Sequence, residues 1–127
     1  MLRVVFDTNI LVFALWTPGG KPAHIIALLP SGKIMPCYSY QILREYRAVL
    51  NRPKLKFSGS QTQEILAAIE RQGMLIAPEI SKISLPDESD RKFYDTAKSC
   101  RAFLLTGNKK HYPAEKFIVS PAEFLAL

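Results

Sequence analysis

The run Arg3-Val4-Val5-Phe6-Asp7-Thr8-Asn9 decides how the rest of the chain is read. Arg3 to Asp7 carries β-branched and aromatic residues with no apolar/polar alternation, the pattern of a strand buried on both faces of a parallel sheet. Asp7 closes that strand with a charge, Thr8 and Asn9 break it, and a helical run follows to Trp16.

Outward from this point the chain alternates. Pro18-Gly19-Gly20 is a loop, Pro22 to Leu29 a helix ended by Pro30-Ser31-Gly32, and Ile34 to Tyr38 a second strand. Pro36 cannot donate to a ladder, so it marks that strand as an edge or a strand end. Ser39 is the N-cap of a helix running to about Asn51, with Ile42, Leu43, Tyr46, Val49 and Leu50 on one stripe. Arg52-Pro53 ends it. Ser60-Gln61-Thr62-Gln63 has the form of a capping box and opens a helix that stops at Gly73. Met74 to Ala77 reads as a third strand. Pro86-Asp87 starts a helix with Phe93, Tyr94, Ala97 and Cys100 inward. Ala102 to Leu105 and Phe117 to Val119 are the fourth and fifth strands, and Pro121 to Leu125 is a terminal helical turn. Strands alternating with helices imply right-handed crossovers and a parallel sheet covered on both faces, with ligands at the carboxyl edge of the strands.

The 127 residues suit a single domain spanning 1–127, and 48% hydrophobic residues are enough for a full core. The longest apolar run, Ile10 to Trp16, is too short to span a bilayer. The N-terminus lacks the form of a signal peptide, so a cytoplasmic protein with no membrane association is expected. Cys37 and Cys100 belong to no metal-binding cluster and read as reduced core residues. The net charge of +6 favours a polyanionic partner, and the sequence pI is about 9.5. No GxxxxGKS or GxGxxG loop is present, which argues against nucleotide binding.

Three acids fall where such a fold does chemistry. Asp7 ends the first strand at the carboxyl edge; the other role open to it is the N-cap of the next helix. Glu45 sits beside the apolar stripe of its helix and leans toward the same edge, or else pairs on the surface with Arg44 or Lys54. Asp90 falls within the arc of Phe93, Tyr94 and Ala97, and an acid on a buried face calls for a partner; beside Asp87, a capping or dipole role is the alternative. Asp87 reads as the N-cap, and Asp95 points to the opposite, solvated side. Clustered carboxylates repel unless a cation holds them. Hard oxygen ligands select magnesium or manganese, and such a site supports phosphodiester hydrolysis.

These segments resemble a PIN domain: FDTN (Phe6 to Asn9), LREYRAVLNRPK (Leu43 to Lys54), DESDRKFYDTAKSCRAFLLTGN (Asp87 to Asn108) and IVSPAEFL (Ile118 to Leu125). In this order and spacing they resemble most the toxin-like, VapC-type group of bacterial and archaeal toxin–antitoxin systems. The resemblance implies a Rossmann-like three-layer α/β/α sandwich around a mainly parallel sheet of four to five strands. It also implies magnesium- or manganese-dependent cleavage of single-stranded RNA, an antitoxin that blocks the site, and a homodimer. Asp7, Glu45 and Asp90 match the family's acids, and Asn9 and Thr106 its supporting polar positions. Many relatives carry Thr-x-Asp after the fourth strand; here it is Thr106-Gly107-Asn108. Asn108 can offer a carbonyl oxygen to a cation but no charge. Lys109, Lys110 and His111 follow, either as phosphate contacts or as a solvated basic loop. His24 reads as a surface residue of its helix.

Two other functions fit parts of the pattern. A binding module for RNA or an antitoxin, without catalysis, is consistent with Asn108. A phosphatase or phosphotransferase with an aspartyl nucleophile would resemble Asp-x-Asp after the first strand, and here that second position is Asn9.

Overall fold

The computed structural model describes residues 1–127. Along the chain lie β1 (Leu2–Phe6), α1 (Thr8–Trp16), α2 (Lys21–Ile26), β2 (Ile34–Tyr38), α3 (Tyr40–Leu50), α4 (Gly59–Gln72), β3 (Met74–Leu75), α5 (Arg91–Cys100), β4 (Phe103–Leu105), β5 (Ile118–Val119) and α6 (Pro121–Leu125). Single turns of tighter helix occupy Leu29–Ser31, Pro53–Leu55, Glu88–Asp90 and Lys109–His111.

The five strands form one parallel sheet in the order β3-β2-β1-β4-β5. The chain starts at the centre, walks outward to β3, then returns to β4 on the other side of β1. Right-handed crossovers therefore put α1, α2 and α4 on one face and α5 on the other, giving the expected three-layer α/β/α sandwich. The reversal of strand order between β1 and β4 opens a crevice at their carboxyl ends. β1 is the hub: Val4, Val5 and Phe6 are fully buried, as its unbroken apolar run requires. Val4 to Phe6 pair with Phe103 to Leu105 on one side, and Leu2 to Val4 with Ile34 to Pro36 on the other.

Pro36 departs from the expectation of an edge, since β2 lies between β1 and β3. The ladder to β3 begins only at Cys37, so Pro36 still faces a stretch where no donor is needed. Gly73 lets β3 come this close. A Cβ there would lie 2.4 Å from the carbonyl oxygen of Ile69 and 2.6 Å from that of Pro36.

The α3 cap is as read: Ser39 Oγ accepts from the Ile42 amide at 3.2 Å. The α4 cap is not. Its box is Ser58 with Gln61, two residues earlier than Ser60 with Gln63. The two boxes overlap in sequence, and Phe57, just before the Ser58 cap, lies against Trp16. Several ends move as well: the second helix stops at Ile26 rather than Leu29, and β3 is two residues long.

Asp95 also corrects the sequence reading. It is buried at 3% exposure, not solvated, because residues 76–86 run as an extended strap along the outer side of α5. Asp95 Oδ2 accepts from the Ser81 amide at 3.2 Å. Arg91 donates to the carbonyls of Ser81 at 2.8 Å and Ile83 at 2.5 Å, and Ser99 Oγ accepts from the Glu79 amide. Periodicity could not reveal this, since an extended strap covers a polar helix face by backbone bonding. Cys37 and Cys100 are buried free thiols, and His24 is exposed, as read. No helix is long and apolar enough to cross a membrane.

Candidate active site at the sheet switch point

Asp7 follows β1 and Thr106 follows β4, the two strands flanking the reversal of strand order. Asp7 occupies the N-cap position of α1, yet its side chain makes no cap hydrogen bond. Its Oδ2 instead accepts from Thr106 Oγ1 at 2.9 Å and from the Tyr112 hydroxyl at 3.0 Å. Of the two roles open to Asp7, the carboxylate takes the one at the edge.

Burial raises the Asp7 carboxyl above the usual carboxylate range. The bonds from Thr106 and Tyr112 oppose that rise, and the charge of Glu45 adds to it. Burial and the Asp7 charge push the Tyr112 phenol far up, so it remains a donor. Thr106 Oγ1 also accepts from the Asn108 amide at 3.0 Å, which fixes the hydroxyl's proton toward Asp7.

Glu45 reaches the edge from α3. It pairs with neither Arg44 nor Lys54: Thr8 Oγ1 donates to its Oε2, and Lys92 Nζ lies 2.7 Å from its Oε1. α3 is held against the end of β1 by Tyr46, whose hydroxyl donates to the Phe6 carbonyl at 2.5 Å and whose ring stacks on Phe93. Asp90 ends the short turn before α5, and its side chain is 14% exposed. Burial, then the charges of Asp7 and Asp87, push its carboxyl up to about 6, with Glu45 contributing and His111 opposing. Asp87 caps the turn by accepting from the Ser89 amide at 2.9 Å, as its sequence position indicates.

The three acids therefore share one edge and one electrostatic field. They do not stand as a closed ligand cage, for no three His, Cys, Asp or Glu side chains converge as a metal-holding group. Their chemistry nonetheless fits a hard divalent cation. All donors are oxygens, the Glu45 charge raises Asp7, the Asp7 and Glu45 charges raise Asp90, and Asp90 Oδ2 is buried with no hydrogen-bond partner. His111 Nδ1 lies 3.4 Å from that oxygen without the alignment of a hydrogen bond.

The remaining predicted residues divide. Thr106 is buried and donates to Asp7. Asn9, the second residue of α1, is exposed, and no hydrogen bond ties it to the acids. Asn108 turns its amide nitrogen to His111 Nε2 at 3.0 Å. Lys109 pairs with Glu123 at 3.0 Å, while Lys110 is exposed and unpaired. Sequence reasoning missed Tyr112, Thr8 and Lys92. Only Thr8, next to Asp7, carries a signal in the sequence, as the residue that breaks the first strand.

The PIN domain family matches this chain over residues 3–110. An uncharacterized protein of Methanocaldococcus jannaschii, MJ1680, is 34% identical over 111 residues, covering 85% of this chain and 72% of that protein. Among solved structures, VapBC2 from Rickettsia felis, crystallised bound to a DNA fragment from its promoter, superposes with a TM-score of 0.57 at 16% identity. That match covers 94% of this chain and 97% of the other. PIN domains are generally nucleases and typically use divalent metals. With the family matched over most of its length and the fold in agreement, the chain belongs to the PIN domain family.

Proposed function

We propose that this protein is a magnesium- or manganese-dependent endoribonuclease that cleaves single-stranded RNA, with Asp7, Glu45 and Asp90 as its metal-holding carboxylates. The observation that carries this is Asp90, a carboxylate at the switch-point edge of a PIN fold whose buried oxygen has no hydrogen-bond partner and whose carboxyl is raised by the charges of Asp7 and Glu45 from distant segments. A bound divalent ion would polarise the scissile phosphate and lower the pKa of an attacking water.

The chain's own residues set the geometry. Asp7 is held from one side by Thr106 and Tyr112, so only its other oxygen remains to face the crevice. Thr8 orients Glu45, and Lys92 balances its charge. Asp7 is 6% exposed, so the substrate phosphate approaches past Glu45 and Asp90, the more open pair. Lys110 is the nearest unpaired cation in sequence to Asn108 and is free to meet a flanking phosphate.

The fold shared with VapBC2 supports a toxin role in a toxin–antitoxin pair, acting in the cytoplasm as a homodimer with a cognate antitoxin. We take residues 1–127 as one domain. A second reading, a module that binds RNA or an antitoxin without cleaving, draws on Asn108, which brings no charge and is engaged by His111. Incubation with single-stranded RNA and manganese separates the two. Cleavage that is lost with EDTA and in Asp7→Asn supports the enzyme; binding with no cleavage by the native protein supports the module.

A further inference from the structure

The entire formal charge of the chain resides in its first half. Residues 1–63 carry eight Lys and Arg against two acids, and those two are Asp7 and Glu45; residues 64–127 carry nine of each sign. On the basic half, α1 presents Asn9, Phe13 and Trp16 to solvent, the i, i+4, i+7 positions of one stripe. The stripe starts two residues from Asp7 and runs away from the crevice for about 10 Å at the helical rise.

Two large rings stand on it, Phe13 at 44% and Trp16 at 53% exposure. Their centroids are 5.8 Å apart, edge to face, and Phe57 continues the row 6.3 Å beyond Trp16. Phe57 brings with it the segment Arg52-Pro53-Lys54-Leu55-Lys56-Phe57, in which three exposed cations alternate with apolar residues. Arg52, Lys54 and Lys56 pair with no carboxylate, whereas Arg47, Lys92, Lys98 and Lys109 do. Lys56 holds φ at 57°, in the left-handed region where a residue with a Cβ is strained. The chain keeps a lysine where glycine would fit more easily.

We propose that Phe13, Trp16 and Phe57, rimmed by Arg52, Lys54 and Lys56, form a stacking track for the single-stranded RNA that flanks the scissile phosphate. The proposal rests on the nuclease reading of the adjoining site and adds its substrate-binding surface. Aromatic faces accept any base, and unpaired cations take the phosphates, which is how proteins hold single strands without reading their sequence. Charge complementarity selects this occupant. Two copies of the chain meeting through this face would set like charges against each other, whereas a polyanion neutralises them.

Trp16 is the only tryptophan in the chain, so its emission reports the track directly. Native protein in EDTA, which prevents cleavage, is titrated with an oligouridylate of about ten nucleotides, a length within the usual site size. Saturable quenching of Trp16 is expected, with none from a double-stranded RNA. Phe13→Ala weakens binding about fivefold or more, and Phe13→Tyr restores it, which separates ring stacking from folding. Lys54→Gln with Lys56→Gln lowers the slope of log K against log salt by roughly 1.4, the value for two single-strand phosphates. Unchanged emission while labelled RNA binds elsewhere by anisotropy overturns the proposal. So does emission that changes with protein concentration alone as the mass doubles, which makes the stripe a self-association face. Quenching without manganese-dependent cleavage keeps the track and removes the nuclease reading; cleavage without quenching does the reverse.

Discussion

Tyr112 and Asp7, 105 residues apart in sequence, are joined by one buried hydrogen bond of 3.0 Å from the phenol to Asp7 Oδ2. This bond ties the segment between β4 and β5 to the end of β1. It holds Asp7 in place jointly with Thr106, on an oxygen whose charged state is disfavoured by burial.

Removing the phenol tests that role. Tyr112→Phe keeps the ring and deletes the donor, so the metal-free protein should lose about 1–2 kcal/mol in urea unfolding. Cleavage should fall by about 10–100-fold, the usual cost of losing a group that orients a metal ligand. Stability and cleavage both unchanged would show that Thr106 alone positions Asp7.

Asp90 is expected to behave in the opposite sense. Its carboxyl is raised to about 6, so above that pH its charge opposes folding when no cation is bound. Asp90→Asn should therefore stabilise the metal-free protein at neutral pH, on the order of 1 kcal/mol after screening by solvent. It should also abolish the manganese-dependent rise in melting temperature. A variant less stable than the native protein in EDTA would contradict this account of Asp90.

Arg91 clamps the 76–86 strap through the Ser81 and Ile83 carbonyls and the Ser81 hydroxyl. Arg91→Ala removes charge-assisted bonds worth about 1.5–3 kcal/mol each in favourable cases. Limited proteolysis should then cut within 76–86 much faster than in the native protein. Arg91 bonds to Glu88 and the strap and to none of Asp7, Glu45 and Asp90, so cleavage activity should persist. Loss of activity with the strap still protected would place Arg91 in the site instead.

Legibility in sequence followed the kind of signal each residue carries. β1 announced itself because a strand at the centre of a parallel sheet is apolar throughout, and Asp7 was visible as the charge that interrupts it. Asp90 was visible because helical periodicity put an acid on a buried face. Thr106, Asn108 and the family itself were legible through the PIN-like segments. Tyr112 lies in an irregular loop, where no period indicates direction. Lys92 meets Glu45 only because α3 and α5 approach at the sheet edge, a tertiary event. Asp95 was misread because the strap that buries it has no periodic pattern to announce it. Asn9 is named by the PIN-like segments alone, and in the structure it is exposed at the head of the α1 stripe.

Asp7, Glu45 and Asp90 are proposed to hold a divalent cation together, and manganese binding tests this most directly. Metal-free protein is titrated with manganese, and the fall in the free-ion EPR signal is read. Saturable binding is predicted for the native protein and for Asp95→Asn, with binding lost in Asp7→Asn, Glu45→Gln and Asp90→Asn variants that remain folded by circular dichroism. A native protein that leaves the free-ion signal untouched, or acid variants that bind as the native does, would contradict it.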